Sequence, residues 1–238
     1  MEQKLTILPL RLTRHSDRTM ILSAYSREAG RVAFAVPAGG KGRLRSLLTP
    51  LNPLQCVTTR RAGNDLLRLR EPHSIMPIHV VMSHPERAAM AMFLAEALGA
   101  LMRQSEGDPQ VFDYILDAVA RLNDPDVPVA NFHLCFLMGL GRLMGIAPDL
   151  SDWRPGMLFD MRDGLWRLTP ALHGQCLNAT DSAAAARLMR IGWANQAAFR
   201  FSRDQRQRAL SLILDYYTLH LADLSSLNSP EVLAMVFG

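Results

Sequence analysis

Five short runs of alternating apolar and polar residues crowd into the first 70 or so positions, and the pattern does not recur afterwards. They are Leu5–Thr13, Thr19–Tyr25, Arg31–Val36, Leu51–Thr59 and Asp65–Glu71. Period two is the strand signature. It turns Leu5, Ile7, Leu10 and Leu12 inward, and sets Val32, Phe34 and Val36 on the opposite face from Ala33 and Ala35. Arg27-Glu28-Ala29-Gly30 reads as a turn in which Gly30 can take positive φ. Arg61-Ala62-Gly63-Asn64 separates the last two runs, and Ala38–Arg43 forms a loop after the third. Five short strands joined by tight turns predict a small closed barrel.

Pro72, Pro77 and Pro85 then punctuate the chain, and the apolar period changes to 3.6. The boundary falls near residue 80, giving a barrel domain over 1–80 and a helical domain over 81–238. Ser83-His84-Pro85-Glu86 has the form of a capping box opening a helix to about Met102. Asp108-Pro109 opens a second, to about Leu122. Pro128 stands in the first turn of a third, which ends at Gly145. Met157–Leu168 reads as a β-hairpin turning at Asp163-Gly164. Thr180 or Asp181 caps a helix to Ile191, Ser202-Arg203-Asp204-Gln205 is a second capping-box pattern running to about Leu221, and Ser229-Pro230 starts a short final helix. The class is α+β, a five-stranded barrel followed by helices with a small hairpin insertion.

The chain has 238 residues, 49% hydrophobic and 20% charged, enough to bury a core. Its three cysteines, Cys56, Cys135 and Cys176, are scattered and odd in number, which argues against a disulfide framework and for a reducing cytoplasm. MEQKLTILPL lacks the apolar core of a secretory signal, and Ala88–Met102 is short and carries Glu96. No membrane partner is expected.

Charge divides the chain as the periodicity does. Residues 1–80 hold 13 Lys/Arg against 5 Asp/Glu, and residues 81–238 hold 13 against 17. A basic front predicts a polyanionic partner. Arg11, Arg14 and Arg18 surround the first connection, Arg27 and Arg31 flank the next turn, and Lys41, Arg43 and Arg45 share a loop. Arg60, Arg61, Arg68 and Arg70 follow in the last hairpin. Cations on a small barrel make a track for phosphates. Tyr25 and Phe34 are candidate stacking rings for bases, although aromatics in short strands more often fill the core.

Other chemistry finds little support. Gly139–Gly145 has the glycine spacing of a dinucleotide loop but falls late in a helix, where packing and a Gly cap explain it better. Gly39-Gly40-Lys41-Gly42-Arg43 lacks the first Gly and the Ser/Thr of a phosphate loop. A basic loop on a nucleic-acid backbone and a solvated hairpin loop remain equal readings of it. There is no C-x-x-C, H-E-x-x-H or G-x-S-x-G pattern, so no catalytic residue, metal ligand or cofactor is assigned.

The residues His15–Arg43 (HSDRTMILSAYSREAGRVAFAVPAGGKGR) and Leu47-Leu48-Thr49-Pro50-Leu51 together resemble RecO, a bacterial recombination mediator family. Leu137–Leu150 (LMGLGRLMGIAPDL) and the ending, Tyr216–Leu221 with Ser229–Phe237, are similar to its later segments. The resemblance implies an N-terminal OB-fold and a helical C-terminal domain. It implies binding of single- and double-stranded DNA, annealing of complementary strands, and loading of RecA on SSB-coated DNA. Its implied partners are RecR and the acidic C-terminal tail of SSB, and its setting is the cytoplasm, at the nucleoid. Many members carry four zinc-binding cysteines in and before the hairpin; here Ser151–Trp153 and Met157–Leu168 contain none, so zinc is not carried over. The hairpin must then be held by packing, through Trp153, Phe159 and Trp166. For the SSB tail, Arg142 is the first candidate, with Arg121, Arg187 and Arg190 behind it. An RNA-binding OB protein and a metal-dependent nuclease are the rival functions.

Overall fold

The structure, a computed structural model, describes residues 2–39, 42–59, 66–103 and 106–236, and of Arg43 only the backbone. In chain order the elements are β1 (Glu2–Arg14), β2 (Thr19–Ser26), β3 (Gly30–Pro37), α1 (Arg43–Leu47), β4 (Leu54–Thr59) and β5 (Leu67–Ser74). Then come α2 (His79–Ser83), α3 (Pro85–Leu101), α4 (Pro109–Leu122), α5 (Phe132–Leu143), β6 (Leu158–Asp160), β7 (Leu165–Arg167), α6 (Ala179–Leu188), α7 (Arg203–His220) and α8 (Ser229–Val236). By contacts they fall into two compact units. One holds the residues up to Val127 together with Leu227–Val236, the other Pro128–Ser226.

In the first unit, β1 to β5 close into a barrel in the order β1-β2-β3-β5-β4. Strand β1 is long because it serves two neighbours: Glu2–Ile7 pair with β4, and Ile7–Arg14 pair with β2. The register shifts between Pro9 and Arg11, where proline has no N–H to donate. Closure rests on a short parallel contact, Phe34 opposite Leu67 and Ala35 opposite Arg68. The inward set follows the alternation: Leu5, Ile7, Leu22, Val32, Phe34, Val36, Leu54 and Cys56 form one core. Gly30 has φ 66°, as its turn requires.

Helix α3 is buried on nearly every side and forms the centre of the unit's helical part. Its predicted capping box is not made. His84 is the N-cap, without a side-chain bond, while Ser83 Oγ bonds the Val80 carbonyl and the His84 ring. Asp108 does cap α4, accepting from the Gln110 and Val111 amides. The helices α1 and α2 were not foreseen, being too short for a period to show. Helix α8 packs on α3, and Glu96 of α3 accepts from the backbone amides of Asn228 and Ser229.

The second unit is built on α5, α6, α7 and the β6–β7 hairpin. Helix α5 begins at Phe132 rather than near Pro128, which lies outside it. It ends in a Schellman motif: Ile146 N–H donates to the Gly141 carbonyl, Gly145 N–H to Arg142, and Gly145 has φ 72°. The cap of α6 is Asn178, upstream of the predicted Thr180 or Asp181, because its side chain reaches the Asp181 amide. The capping box at Ser202 and Gln205 is made as read. The hairpin turns at Gly164, φ 68°, and Phe159 and Trp166 pack with Ala185 and Ala186 of α6 beside Trp153.

Candidate nucleic-acid interface

The barrel sorts its cations by position. Ala38 N–H donates to the Arg18 carbonyl, so the β1–β2 connection and the segment after β3 meet at one end. Arg14 and Arg18 are exposed there, and Arg45 is exposed on α1 beyond the same segment. Arg11 is exposed on β1, and Arg68 on β5 between Ala35 and Thr59. Arg11, Arg18, Arg45 and Arg68 have no ion-pair partner among the described residues. Arg14 pairs with Asp17 at 2.7 Å and Arg70 with Glu2 at 2.8 Å, all four exposed. Such pairs exchange readily with solvent and a competing phosphate.

The opposite end is committed elsewhere. Arg27 forks onto Asp113 of α4, Nε to Oδ1 and Nη2 to Oδ2, both at 2.9 Å. That bidentate bond holds the Asp113 carboxyl below its ordinary value and raises Arg27. Arg31 Nη1 donates to the Gly99 carbonyl at 3.0 Å, and burial, helped by Arg103, lowers the guanidinium's pKa. Both residues bind barrel to helices within the unit, so the sequence candidates do not act alike. Lys41, Arg60 and Arg61 lie outside the described residues, as does the side chain of Arg43.

Base stacking is corrected. Tyr25 is 1% exposed and Phe34 is 0% exposed. Phe34 fills the barrel core and Tyr25 stacks on Phe112 of α4, so neither ring offers a free face to a base. The inward alternation that made them strand residues is what buries them.

In the second unit, Arg142 Nη2 donates to the carbonyls of Met189 (2.6 Å) and Ile191 (2.9 Å), closing the C-terminal end of α6. Beside it an apolar cleft is lined by Leu137, Gly141, Ile146, Leu188, Met189 and Tyr216. Arg187 stacks over Phe199 and Phe201, and Arg190 over Trp153. In the first unit, Arg121 pairs with Asp117 one turn back. The charge count by halves conceals one feature: from Arg187 to Arg208 the sequence carries six Arg against Asp204 alone. A sliding count would have found it.

The hairpin offers Asp160, Asp163 and His173, whose ligand atoms lie within 4.8 Å of one another. They do not fit a structural zinc site. Arg167 already bridges the two carboxylates, Nε to Asp160 at 2.6 Å and Nη2 to Asp163, and His173 Nε2 lies 3.2 Å from Asp160. The Gln175 amide donates to His173 Nδ1, which leaves Nε2 as the protonated nitrogen facing Asp160. Burial pushes the Asp160 carboxyl up, but the Asp163 amide, Arg167 and His173 outweigh it and hold it below its ordinary value. A guanidinium stands where a metal would need open lone pairs. The glycines of Gly139–Gly145 lie within and just after α5, not between a strand and a helix, so they hold no nucleotide phosphate.

A closed five-stranded barrel with outward cations, followed by helices and a hairpin, defines an OB-type fold with a helical C-terminal part. Two family models match the chain. Residues 1–77 match Recombination protein O N terminal, and residues 82–229 match Recombination protein O C terminal. Proteins called DNA repair protein RecO from Phocaeicola vulgatus and Bacteroides fragilis are each 32% identical over 241 residues, covering 100% of both chains. The one from Porphyromonas gingivalis is 32% identical over 94% of this chain and 95% of its own. The chain belongs to the RecO family of DNA repair proteins.

Proposed function

We propose that this protein is a non-enzymatic recombination mediator that binds single- and double-stranded DNA, anneals complementary strands and helps load RecA on SSB-coated DNA. Residues 1–80 handle the strand, 81–238 dock the SSB tail, and RecR is a further partner. The observation that carries the reading is the set of exposed cations Arg11, Arg18, Arg45 and Arg68, without an ion-pair partner among the described residues, on and beside a barrel whose rings Tyr25 and Phe34 are buried. Such a surface attracts phosphates and ignores base identity. Neutralising two strands lowers their repulsion, and pairing then runs downhill without hydrolysis. The setting is the cytoplasm, at the nucleoid.

The apolar cleft on the second unit is narrow, and its mouth is the proposed dock for the acidic, apolar-ended SSB tail. Arg142 adjoins Gly141 in the chain and holds the Met189 carbonyl, both part of the cleft, while remaining exposed.

The test is single-strand affinity against salt. Replacing Arg11, Arg18, Arg45 and Arg68 together by Ala should reduce the log–log slope by about 2.8, near 0.7 per lost contact. Annealing of SSB-coated strands should fall with it, and the strands should emerge uncut. An unchanged slope would remove the barrel from the interface.

A further inference from the structure

The half of the chain that is acidic in sum holds a strongly basic stretch. Its six arginines, Arg187, Arg190, Arg200, Arg203, Arg206 and Arg208, span the end of α6, the link through Phe199 and Phe201, and the first turns of α7. Five of the six are exposed. Arg206 is the exception, held by the Asn131 side chain and the Phe201 carbonyl. The stretch is not an anion site by virtue of the α7 N-terminus, because Ser202 and Gln205 already satisfy that end.

The distinctive feature is a guanidinium on a pair of rings. Arg187 Cζ lies 5.7 Å from the centroids of both Phe199 and Phe201, which are 5.8 Å apart and half-buried. A cation–π contact does not use the guanidinium's N–H donors, so they remain available to a ligand. No carboxylate bonds those donors among the described residues. Arg187, Phe201 and Arg208 also line one broad groove, with Asp181 and Asp215 in its walls. Asp181 is engaged by the Asn178 side chain and Asp215 by Ser211, and Asp204 is the one acid inside the stretch.

We propose that this surface is a second binding site for single-stranded nucleic acid, separate from the barrel. Cations spread along 22 residues, over two helices and the link between them, match the repeated charge of a strand better than the single carboxylate end of a peptide. The half-buried rings beside Arg187 are partly exposed aromatics, which the barrel lacks. A chain with two such surfaces holds two strands at once. The proposal rests on the reading above only for the nature of the polyanion.

The experiment uses the full chain and labelled oligothymidylate of roughly 10 nucleotides, within the range of one such site. Two variants are compared: Arg200→Ala with Arg208→Ala, and Arg18→Ala with Arg45→Ala. Each pair should lower the salt slope by about 1.4. The wild type should bind two oligonucleotides per chain and the Arg200/Arg208 variant one, with Lys at both positions restoring the second. If the Arg200/Arg208 variant keeps its slope and stoichiometry, the inference fails while the barrel reading stands. If only the Arg18/Arg45 pair is silent, the barrel reading fails and this one stands. Loss of an acidic peptide's binding with strand binding intact would also overturn the proposal, assigning the surface to a protein partner.

Discussion

Gly107 is a residue on which the first unit depends for a purely steric reason. A Cβ there would lie 2.7–2.9 Å from backbone atoms of Arg27, Glu28 and Ala29 in the β2–β3 turn. Backbone cannot step aside as a flexible side chain can. Gly107→Ala should therefore destabilise the protein by about 1–3 kcal/mol in denaturant unfolding. Gly39→Ala, with nothing within 4 Å, is the control and should be close to neutral. His133 shows a different constraint. Burial, helped by nearby Arg206, pushes its pKa down to about 3, against about 6.5 when unfolded. The unfolded chain thus binds a proton there that the folded chain refuses. Stability is fully present above about pH 6.5 and should fall by up to about 1.4 kcal/mol per unit below it. His133→Leu should flatten the melting temperature between pH 6.5 and 5; an unaltered pH profile would show that the imidazole is not the source. Neither effect was legible in the sequence. Gly107 stands among ordinary loop residues, and His133 in an apolar run reads simply as a core histidine.

Among the elements, arginine repeatedly closes the end of a helix belonging to a neighbour. Arg31 bonds Gly99 in the last turn of α3, and Arg142 bonds the carbonyls after α6. Arg87, 6% exposed, bonds Leu122, Pro125 and Val127 at and beyond the end of α4. Each offsets a negative helix end with a planar donor. This is why counting cations misleads as a guide to ligand sites: Arg31 and Arg87 are spent inside the fold, and Arg142 is partly so while remaining exposed. Strands and long helices were legible because their periods extend over many residues; the caps Asp108 and Ser202 were legible too, whereas Asn178 and His84 were not, because they depend on one turn of local geometry. In the hairpin, Asp160 is the fastener. Asp160→Asn would strip Arg167 of its buried charge partner and weaken the bond from His173, and should cost about 3 kcal/mol, read from the fluorescence of Trp153 and Trp166 on unfolding. Chelators should leave the wild-type melting temperature unchanged, since an ion pair and not a metal joins these residues. A fall on chelation would reverse that assignment.

At the scale of the whole molecule, the barrel and its basic surface were readable because charge and alternation are additive properties of many residues. The division into units was less so. Nothing in the periodicity announces that α8 returns to α3 from more than a hundred positions away, since an amphipathic pattern does not name its partner. The join is specific. Burial raises the Glu96 carboxyl, but hydrogen bonds from Ser229 and Asn228 prevail and its pKa is net lowered. Its contribution is present above the unfolded value near 4.3 and lost as pH falls through the depressed folded one. Glu96→Gln should lower stability by about 1–2 kcal/mol at pH 7 and expose the Ser225–Leu227 segment to proteolysis before the rest of the chain. Resistance equal to wild type would mean that packing alone holds α8.

The first unit is thus assembled from both sides of the second. On the ribosome, the barrel and α2–α4 emerge early and must wait, with one flank of α3 bare, until Leu227–Val236 has been translated. Synthesis of Leu227–Val236 is therefore coupled to closure of the unit that carries the barrel. A product stalled or clipped after Ser226 would display the apolar flank of α3 to chaperones and proteases.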